Sequence, residues 1–179
     1  MAIFKIAPVL ASGCTSVLKP AENTPLTALR IGEILVESGM PEGVINIVPG
    51  MGDEAGNALV RHPGVDKIAF TGSTSIGKHI TREASHTLKR VSLELGGKSP
   101  NIIMDDADLD LALAITNGAC FVNAGQICLA GSRIFVQEGI YDEYVSRIVE
   151  KAKAKKIGDA FEEGVEMGPL ISQVQLDKV

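Results

Sequence analysis

Short apolar runs alternate with amphipathic segments along the first half of the chain. This alternation is typical of parallel strands covered by helices. The predicted strands of this half span residues 16–19, 44–48, 67–70 and 90–95. One helix is predicted to be capped by Thr24, to have Pro25 at its first position and to close at Gly39. Two more are predicted over 53–61 and 75–84.

The last of these strands has the clearest period. Val91, Leu93 and Leu95 fall on one face, and Ser92 and Glu94 on the other. Successive side chains of a strand point to opposite faces, so Glu94 is predicted at a strand end, opposite the apolar row.

The second half predicts strands over 101–104 and 134–137, a helix over 108–121 and another from Tyr141, with apolar residues at helical spacing. Between the halves lies the pair Gly96-Gly97. Paired glycines permit a chain reversal that side chains would block. We therefore predict two lobes, residues 1–95 and 96–179.

Composition and charge describe an ordinary globular chain of 179 residues, with 45% hydrophobic residues and a net charge of −5. Nothing in it suggests nucleic acid as a partner, and no apolar stretch is long enough to span a bilayer. Lys5 and Pro8 interrupt the apolar N-terminus, which argues against a signal peptide. Three cysteines without CxxC spacing, and three scattered histidines, predict neither disulfides nor a metal site. A reducing, cytoplasmic compartment is expected.

Two long phrases carry the candidate chemistry. Glu94 lies in Leu-Glu-Leu-Gly-Gly-Lys-Ser-Pro, and Cys128 lies in Gly-Gln-Ile-Cys-Leu-Ala-Gly-Ser-Arg. A thiol needs a base or a positive local field to react at neutral pH, and a thioester needs a base that activates water for its release. Glu94 and Cys128 together offer the thiol and the base. An inert buried cysteine and a solvated strand-end carboxylate are the plainer alternatives.

Two glycine turns compete for a nucleotide phosphate. Residues 50–55, Gly-Met-Gly-Asp-Glu-Ala, match the dinucleotide fingerprint with alanine at the last position. Residues 72–77, Gly-Ser-Thr-Ser-Ile-Gly, also join a strand to a helix, and Ser73 adds a hydroxyl beside exposed amides. Physical reasoning alone ranks the first turn higher. Each is equally compatible with a plain tight turn.

A lysine and a glutamate, Lys19 and Glu22, follow the first predicted strand. A carboxylate accepts hydrogen bonds from ribose hydroxyls and repels a phosphate at the same place. Glu22 therefore favours NAD over NADP. The alternative is an ordinary surface pair in a loop.

These motifs together resemble the aldehyde dehydrogenase superfamily, in its NAD(P)-dependent, hydrolytic form, over all 179 residues. The resemblance implies a Rossmann-like parallel sheet with flanking helices, a partial NAD-binding domain over 1–95, followed by part of an α/β catalytic domain over 96–179. It implies oxidation of a small aldehyde to a carboxylic acid with NAD, through a thiohemiacetal and a thioester on Cys128, with water activated by Glu94.

The resemblance also assigns cofactor contacts. It places the second turn at the pyrophosphate and the first near the adenine, and it puts other residues at the ribose or nicotinamide. The cofactor residues it implies are Lys19, Glu22, Gly52, Gly72, Ser73, Ile76, Leu95, Gly96 and Gln175.

Members of the superfamily are far longer, so the chain resembles an internal portion with weak or no activity of its own. An upstream asparagine of the oxyanion hole and the strand that builds the homo-oligomer have no counterpart in it.

Two alternatives stay open. A nitrilase-like amidase uses a Cys, a Glu and a Lys, here Cys128, Glu94 and Lys98, but its spacing differs and it leaves the glycine turns unexplained. A non-catalytic structural or truncated relative is the other, although structural relatives tend to lose the nucleophile. The aldehyde itself is not identified by the sequence.

Overall fold

The computed structural model describes residues 1–179 and divides into two compact units, Met1–Leu95 and Gly96–Val179. Six strands form three parallel pairs, and a helix lies between the two strands of each pair along the chain. Parallel neighbours require such a crossover, because a tight hairpin joins only antiparallel strands. The predicted α/β class, with parallel strands and flanking helices, is confirmed.

In the first unit the strands are β1 (Ser16–Leu18), β2 (Ile45–Ile47), β3 (Lys67–Gly72) and β4 (Arg90–Leu95). The helices are α1 (Ala2–Ala11), α2 (Leu26–Glu37), α3 (Asn57–Arg61) and α4 (Thr74–Ala84). One π-helical turn, Gly52–Gly56, leads directly into α3, and a 3₁₀ turn, Ser85–Thr87, follows α4. β1 pairs with β2, and β3 pairs with β4.

Two features of this unit differ from the sequence-based predictions. The helix α1 is absent from them, yet Ile6 is buried in it, and the Ser12 amide and hydroxyl both donate to the Pro8 carbonyl to close its last turn. The predicted cap by Thr24 is wrong, because no side chain caps α2. Pro25 instead begins the helix with its fixed φ, and its carbonyl accepts from Leu29 N at 3.0 Å.

The strand β4 has the predicted alternation, with Val91, Leu93 and Leu95 half-buried and the residues between them exposed. Its register pairs Thr71 with Glu94 and Gly72 with Leu95. The end of β4 therefore lies beside the turn that opens α4.

The second unit contains strands β5 (Pro100–Ile103) and β6 (Arg133–Val136), which pair, and helices α5 (Leu109–Phe121), α6 (Tyr141–Lys153) and α7 (Gln173–Lys178). A 3₁₀ turn, Val122–Gly125, follows α5 and leads into the loop that carries Cys128. A second, Glu138–Ile140, precedes α6. Asp108 caps α5 by accepting from Leu111 N at 3.1 Å.

The core of the second unit is built from Ile103, Leu113 and Tyr144. The Tyr144 hydroxyl donates to Thr116 Oγ1 at 2.5 Å, and Asn101 Nδ2 donates to the same oxygen at 2.6 Å. Thr116 is fully buried, so these bonds satisfy its oxygen without water. They join β5, α5 and α6, and the loop that carries Cys128 follows α5 and leads to β6.

Candidate active site

Lys19 and Glu22 meet at the end of β1. Lys19 Nζ donates to the carbonyl oxygens of Pro20 and Gly50, at 2.7 and 3.2 Å, and to Glu22 Oε1 at 3.2 Å. The pKa of Glu22 is lowered, first by a hydrogen bond from its own backbone amide, then by the Lys19 ammonium and the Gly52 backbone, against an opposing desolvation. Glu22 is therefore held as a carboxylate at neutral pH.

A cavity of about 210 Å³ opens beside this carboxylate. Its walls are Pro20, Ala21, Glu22, Pro25, Pro49, Gly50 and Met51. A Cβ built on Gly52 would lie 3.3 Å from Glu22 Oε1, so a side chain there would crowd the carboxylate. Apolar walls with one fixed acceptor suit a flat apolar ring with a hydroxyl-bearing neighbour.

The second glycine turn forms the N-terminus of α4. Ser73 caps the helix, since its Oγ accepts from Ile76 N at 3.3 Å and its carbonyl accepts from Gly77 N at 3.0 Å. The first amides of a helix have no intrahelical partner, so those of Thr74 and Ser75 are left for an external acceptor. The turn is exposed, including Gly72 and Ile76, and can hold an anion.

Glu94 and Leu95 take opposite directions at the end of β4. The Glu94 carboxylate is exposed, whereas Leu95 is half-buried and packs on α4. A Cβ on Gly77 would lie 2.8 Å from Leu95 Cδ2, so only glycine permits this approach. Leu95 thus presents its backbone, and its side chain is committed to packing.

Cys128 lies in an exposed loop after α5. Two anchors flank it. Before it, Gln126 N and Gln126 Nε2 both donate to Asn123 O at 3.1 Å, and Gln126 Oε1 accepts from Ile171 N at 3.0 Å. After it, Ala130 is buried and its amide donates to Ile127 O at 3.1 Å. The thiol is therefore accessible on a fixed backbone.

The other cysteines differ from Cys128 in their surroundings. Cys120 is half-buried, its Sγ donates to Gly131 O at 2.9 Å, and burial raises the pKa of its thiol. Cys14 is exposed just after α1. Cys120 is thus a poor nucleophile, and the Cys14 thiol donates to Ser12 O at 3.8 Å while its amide donates to Val9 O at 3.0 Å.

The remaining cofactor candidates, Gly96 and Gln175, lie in the second unit. Gly96 is exposed and has open space where a Cβ would be. Gln175 is half-buried in the short helix α7, where its amide donates to Ser172 Oγ at 3.2 Å. The neighbouring Gly97 runs beside the nucleophile loop, since its Cβ would lie 3.5 Å from Cys128 O.

The structure thus brings Lys19, Glu22 and Gly52 together in one group, and Gly72, Ser73 and Ile76 in another, close to Leu95. Glu94 belongs to the first unit, and Cys128, Gly96 and Gln175 to the second. No group of three or more His, Cys, Asp or Glu side chains is arranged to hold a metal ion. None of the helices is long and apolar enough to cross a bilayer.

Comparison with known proteins decides the family. The sequence profile of the aldehyde dehydrogenase family matches residues 1–179. The chain belongs to the aldehyde dehydrogenase family. It is 54% identical over 180 residues to an aldehyde dehydrogenase of Enchytraeus buchholzi, covering 100% of this chain and 36% of that protein. The chain spans about a third of the length of such relatives.

Solved aldehyde dehydrogenases have the same fold. Betaine aldehyde dehydrogenase from Staphylococcus aureus, in complex with NAD+, superposes with a TM-score of 0.96 at 45% identity, covering 99% of this chain and 35% of that one. An NADP-dependent enzyme of E. coli superposes with a TM-score of 0.94 at 44% identity, covering 97% and 36%. Both kinds of nicotinamide cofactor thus occur among similar proteins.

Sequence reasoning missed two features of the site. One is the set of hydrogen bonds that Gln126 makes with Asn123 and Ile171. In the sequence, Gln126 stands out only as part of the motif around Cys128. The other is the π-turn at Gly52–Gly56, which has no distinctive residue pattern. A signal for the first existed, because Asn123 and Gly125 are residue types that favour left-handed turns.

Proposed function

We propose that this aldehyde dehydrogenase oxidises a small aldehyde to a carboxylic acid with NAD, through a thioester on Cys128. The observation that carries the proposal is the loop of Cys128, in which an accessible thiol sits between two backbone anchors. A nucleophile must be exposed to its substrate and held in place, and the exposure of Cys128 on an anchored backbone supports this role.

We assign Met1–Leu95 to the NAD-binding domain and Gly96–Val179 to the catalytic domain. The first unit contains two glycine turns and the Glu22 carboxylate, and the second contains the nucleophile. This division separates cofactor recognition from covalent chemistry, as expected of an α/β dehydrogenase.

The residues of the first unit fit a dinucleotide. The Ser73 turn offers the free amides of Thr74 and Ser75 to the pyrophosphate, with Gly72 and Ile76 beside them. Ribose hydroxyls can donate to Glu22 and accept from Lys19 beside the cavity, and Gly52 leaves the Glu22 carboxylate uncrowded. Because Glu22 is a carboxylate, it repels a 2′-phosphate and selects NAD over NADP.

The nicotinamide end is assigned to Leu95, Gly96 and Gln175. Leu95 exposes its backbone to the site because its side chain packs on Gly77, and Gly96 adds no side chain. Gln175 carries an amide side chain that can bond a ribose hydroxyl. When bound, NAD supplies the acceptor for the two electrons that leave the substrate.

The chemistry of the chain itself begins with the Cys128 sulfur. Its thiolate adds to the aldehyde carbon and forms a thiohemiacetal, and loss of a hydride from that carbon leaves a thioester. Glu94 then takes a proton from water, whose oxygen attacks the thioester carbon. The carboxylic acid leaves, and the sulfur returns to its free state.

The proposed partners are the aldehyde and further copies of the same protein, as a homo-oligomer. The apolar neighbours of the thiol, Ile127 and Leu129, are both exposed and suit an aliphatic or aromatic aldehyde. A free thiol nucleophile requires a reducing compartment, which is consistent with a cytoplasmic enzyme.

The test of the covalent step uses the variants Cys128→Ser, Glu94→Gln and Cys14→Ser in a complete, active aldehyde dehydrogenase that contains this chain. With aldehyde and NAD, Cys128→Ser should form no NADH, and Cys14→Ser should match the parent. Glu94→Gln should release NADH in a burst and then turn over about 10²- to 10⁴-fold more slowly, the usual worth of a general base. Mass spectrometry should find an acyl group on Cys128 in that variant.

An unchanged steady-state rate in Glu94→Gln would refute the role of Glu94. An acyl group on Cys128 that forms from an amide without NAD would instead favour the amidase alternative. Thiol labelling at Cys128 that NAD leaves unaltered would favour a non-catalytic relative.

A further inference from the structure

Asn57 bonds to the π-turn beside Glu22 through both its backbone and its side chain. Its backbone amide donates to the carbonyl oxygens of Gly52 and Glu54, and its side-chain Nδ2 donates to Asp53 O at 2.9 Å. Asn57 thus contacts three successive carbonyl groups of the turn. A π-turn is a locally widened helix that persists only where its surroundings hold it, and Asn57 supplies that hold.

His79 fixes the direction of the Asn57 amide. The distance from His79 Nε2 to Asn57 Oδ1 is 2.7 Å, in a half-buried position. An amide oxygen only accepts, so His79 Nε2 donates, and Asn57 Nδ2 is left pointing at Asp53. His79 lies on α4, the helix that starts at the Ser73 turn.

The other end of the π-turn touches the Glu22 group. Lys19 Nζ donates to Gly50 O at 3.2 Å, and Gly52 is close enough to Glu22 that its backbone helps to lower the pKa of that carboxyl. A continuous path of hydrogen bonds and contacts therefore runs from α4 through His79 and Asn57 to Glu22.

We propose that Asn57 and His79 are positioning residues for the adenosine ribose: they fix the π-turn, and through it the Glu22 carboxylate and the wall of its cavity. This rests on the proposed function, because it takes the Glu22 cavity as part of the NAD site. Neither residue lines that cavity, whose walls are formed by residues 20–22, 25 and 49–51.

The same two helices have a second connection that does not reach the π-turn. Arg61 Nε donates to Glu83 Oε2 at 2.8 Å, between the end of α3 and α4. Replacing Arg61 therefore loosens α3 on α4 without altering the bonds to Asp53. It is a matched control that separates positioning of the turn from helix packing.

The experiment measures binding of AMP to the 179-residue chain by calorimetry, for the parent and for Asn57→Ala, His79→Phe, His79→Gln and Arg61→Met. Asn57→Ala and His79→Phe should each raise the Kd about fivefold, the effect of about one net hydrogen bond. The double variant Asn57→Ala/His79→Phe should bind AMP with the same Kd as Asn57→Ala alone, since both substitutions act through one path.

His79→Gln should restore the affinity, because the glutamine amide can donate to Asn57 Oδ1. Arg61→Met should stay within about twofold of the parent, since an exposed ion pair contributes little. The stoichiometry of binding should be the same in all variants, whereas a folding defect lowers the stoichiometry and leaves the Kd of the folded fraction in place.

Equal AMP affinity in the parent and Asn57→Ala would overturn the inference and leave the cofactor assignment standing. Equal weakening by Arg61→Met would also overturn it, in favour of simple helix packing. A parent chain that binds no AMP contradicts the cofactor assignment and this inference together. If Asn57→Ala does not fold, the pair His79→Phe and His79→Gln decides, and a failure of glutamine to restore binding refutes the role of His79.

Discussion

Three successive residues before the nucleophile loop have left-handed backbone. The φ angles of Asn123, Ala124 and Gly125 are 54°, 53° and 72°. Glycine adopts this conformation freely and asparagine tolerates it, but alanine pays a steric cost from its Cβ. Strain of this kind persists only where neighbours over-determine it, and here the bonds between Asn123 and Gln126 do so.

Replacing Ala124 with glycine should stabilise the chain. Relief of the left-handed alanine contributes about 1–2 kcal/mol, from which the greater entropy of unfolded glycine takes about 0.4–1 kcal/mol. We expect a net gain of about 0.5–1 kcal/mol in the free energy of unfolding. Urea unfolding followed by circular dichroism measures it.

The control for this change is Ala119→Gly, inside α5. There the backbone is right-handed, so glycine should cost about 1 kcal/mol. A loss of stability in Ala124→Gly comparable to that in Ala119→Gly would mean that the left-handed turn carries no strain.

Residues whose role is local were predictable. Ser73 caps α4, and Val91, Leu93 and Leu95 share one face of β4, because capping and alternation depend only on near neighbours. The tie between Gln126 and Ile171 was not predictable, since its partners are 45 residues apart. A polar pair at that separation leaves no periodic signal in a single sequence.

At the scale of elements, the contact between α4 and β4 places the Ser73 turn beside the end of the strand that carries Glu94. It depends on Gly77, because a Cβ there would lie 2.8 Å from Leu95 Cδ2 and 3.0 Å from Leu95 Cδ1. Gly77→Ala should destabilise the chain by about 1–3 kcal/mol through overpacking. The same urea titration provides the measurement.

A second glycine in a helix gives the opposite expectation. Gly118 lies in α5 with open space around its Cβ position, so Gly118→Ala should stabilise the chain by about 0.5–1 kcal/mol. If Gly77→Ala stabilises the chain as Gly118→Ala does, then Leu95 moves aside at little cost. In that case the contact between α4 and β4 does not depend on glycine at position 77.

The elements found from sequence were those with a strong period or cap, such as α5 after Asp108. Two were not found. Helix α1 has an almost uniformly apolar sequence with Pro8 inside it, and periodicity cannot separate such a run from a strand or a leader. The π-turn differs from an α-helix in its backbone hydrogen bonds, such as that from Asn57 N to Gly52 O, five residues earlier, and no residue pattern marks such a bond.

At the scale of the whole molecule, the two compact units carry different optical probes. The chain contains no tryptophan and two tyrosines, Tyr141 and Tyr144, both in α6 of the second unit. Tyrosine fluorescence therefore follows the second unit alone, whereas far-UV circular dichroism follows the helices of both. The assignment of cofactor binding to the first unit can be tested with these two signals.

A ligand that binds only the folded form stabilises the unit that holds it. At 100 times its Kd, AMP adds about 2.7 kcal/mol to the unfolding free energy of that unit. The circular dichroism transition contains a part that tyrosine fluorescence does not follow, and we expect AMP to raise the midpoint of that part. The midpoint of the tyrosine transition should not change. Glu22→Gln should weaken this shift, because a neutral amide binds ribose hydroxyls less strongly than a carboxylate. A tyrosine midpoint that rises with AMP by the same amount would place the ligand in contact with the second unit, or make the two units unfold as one.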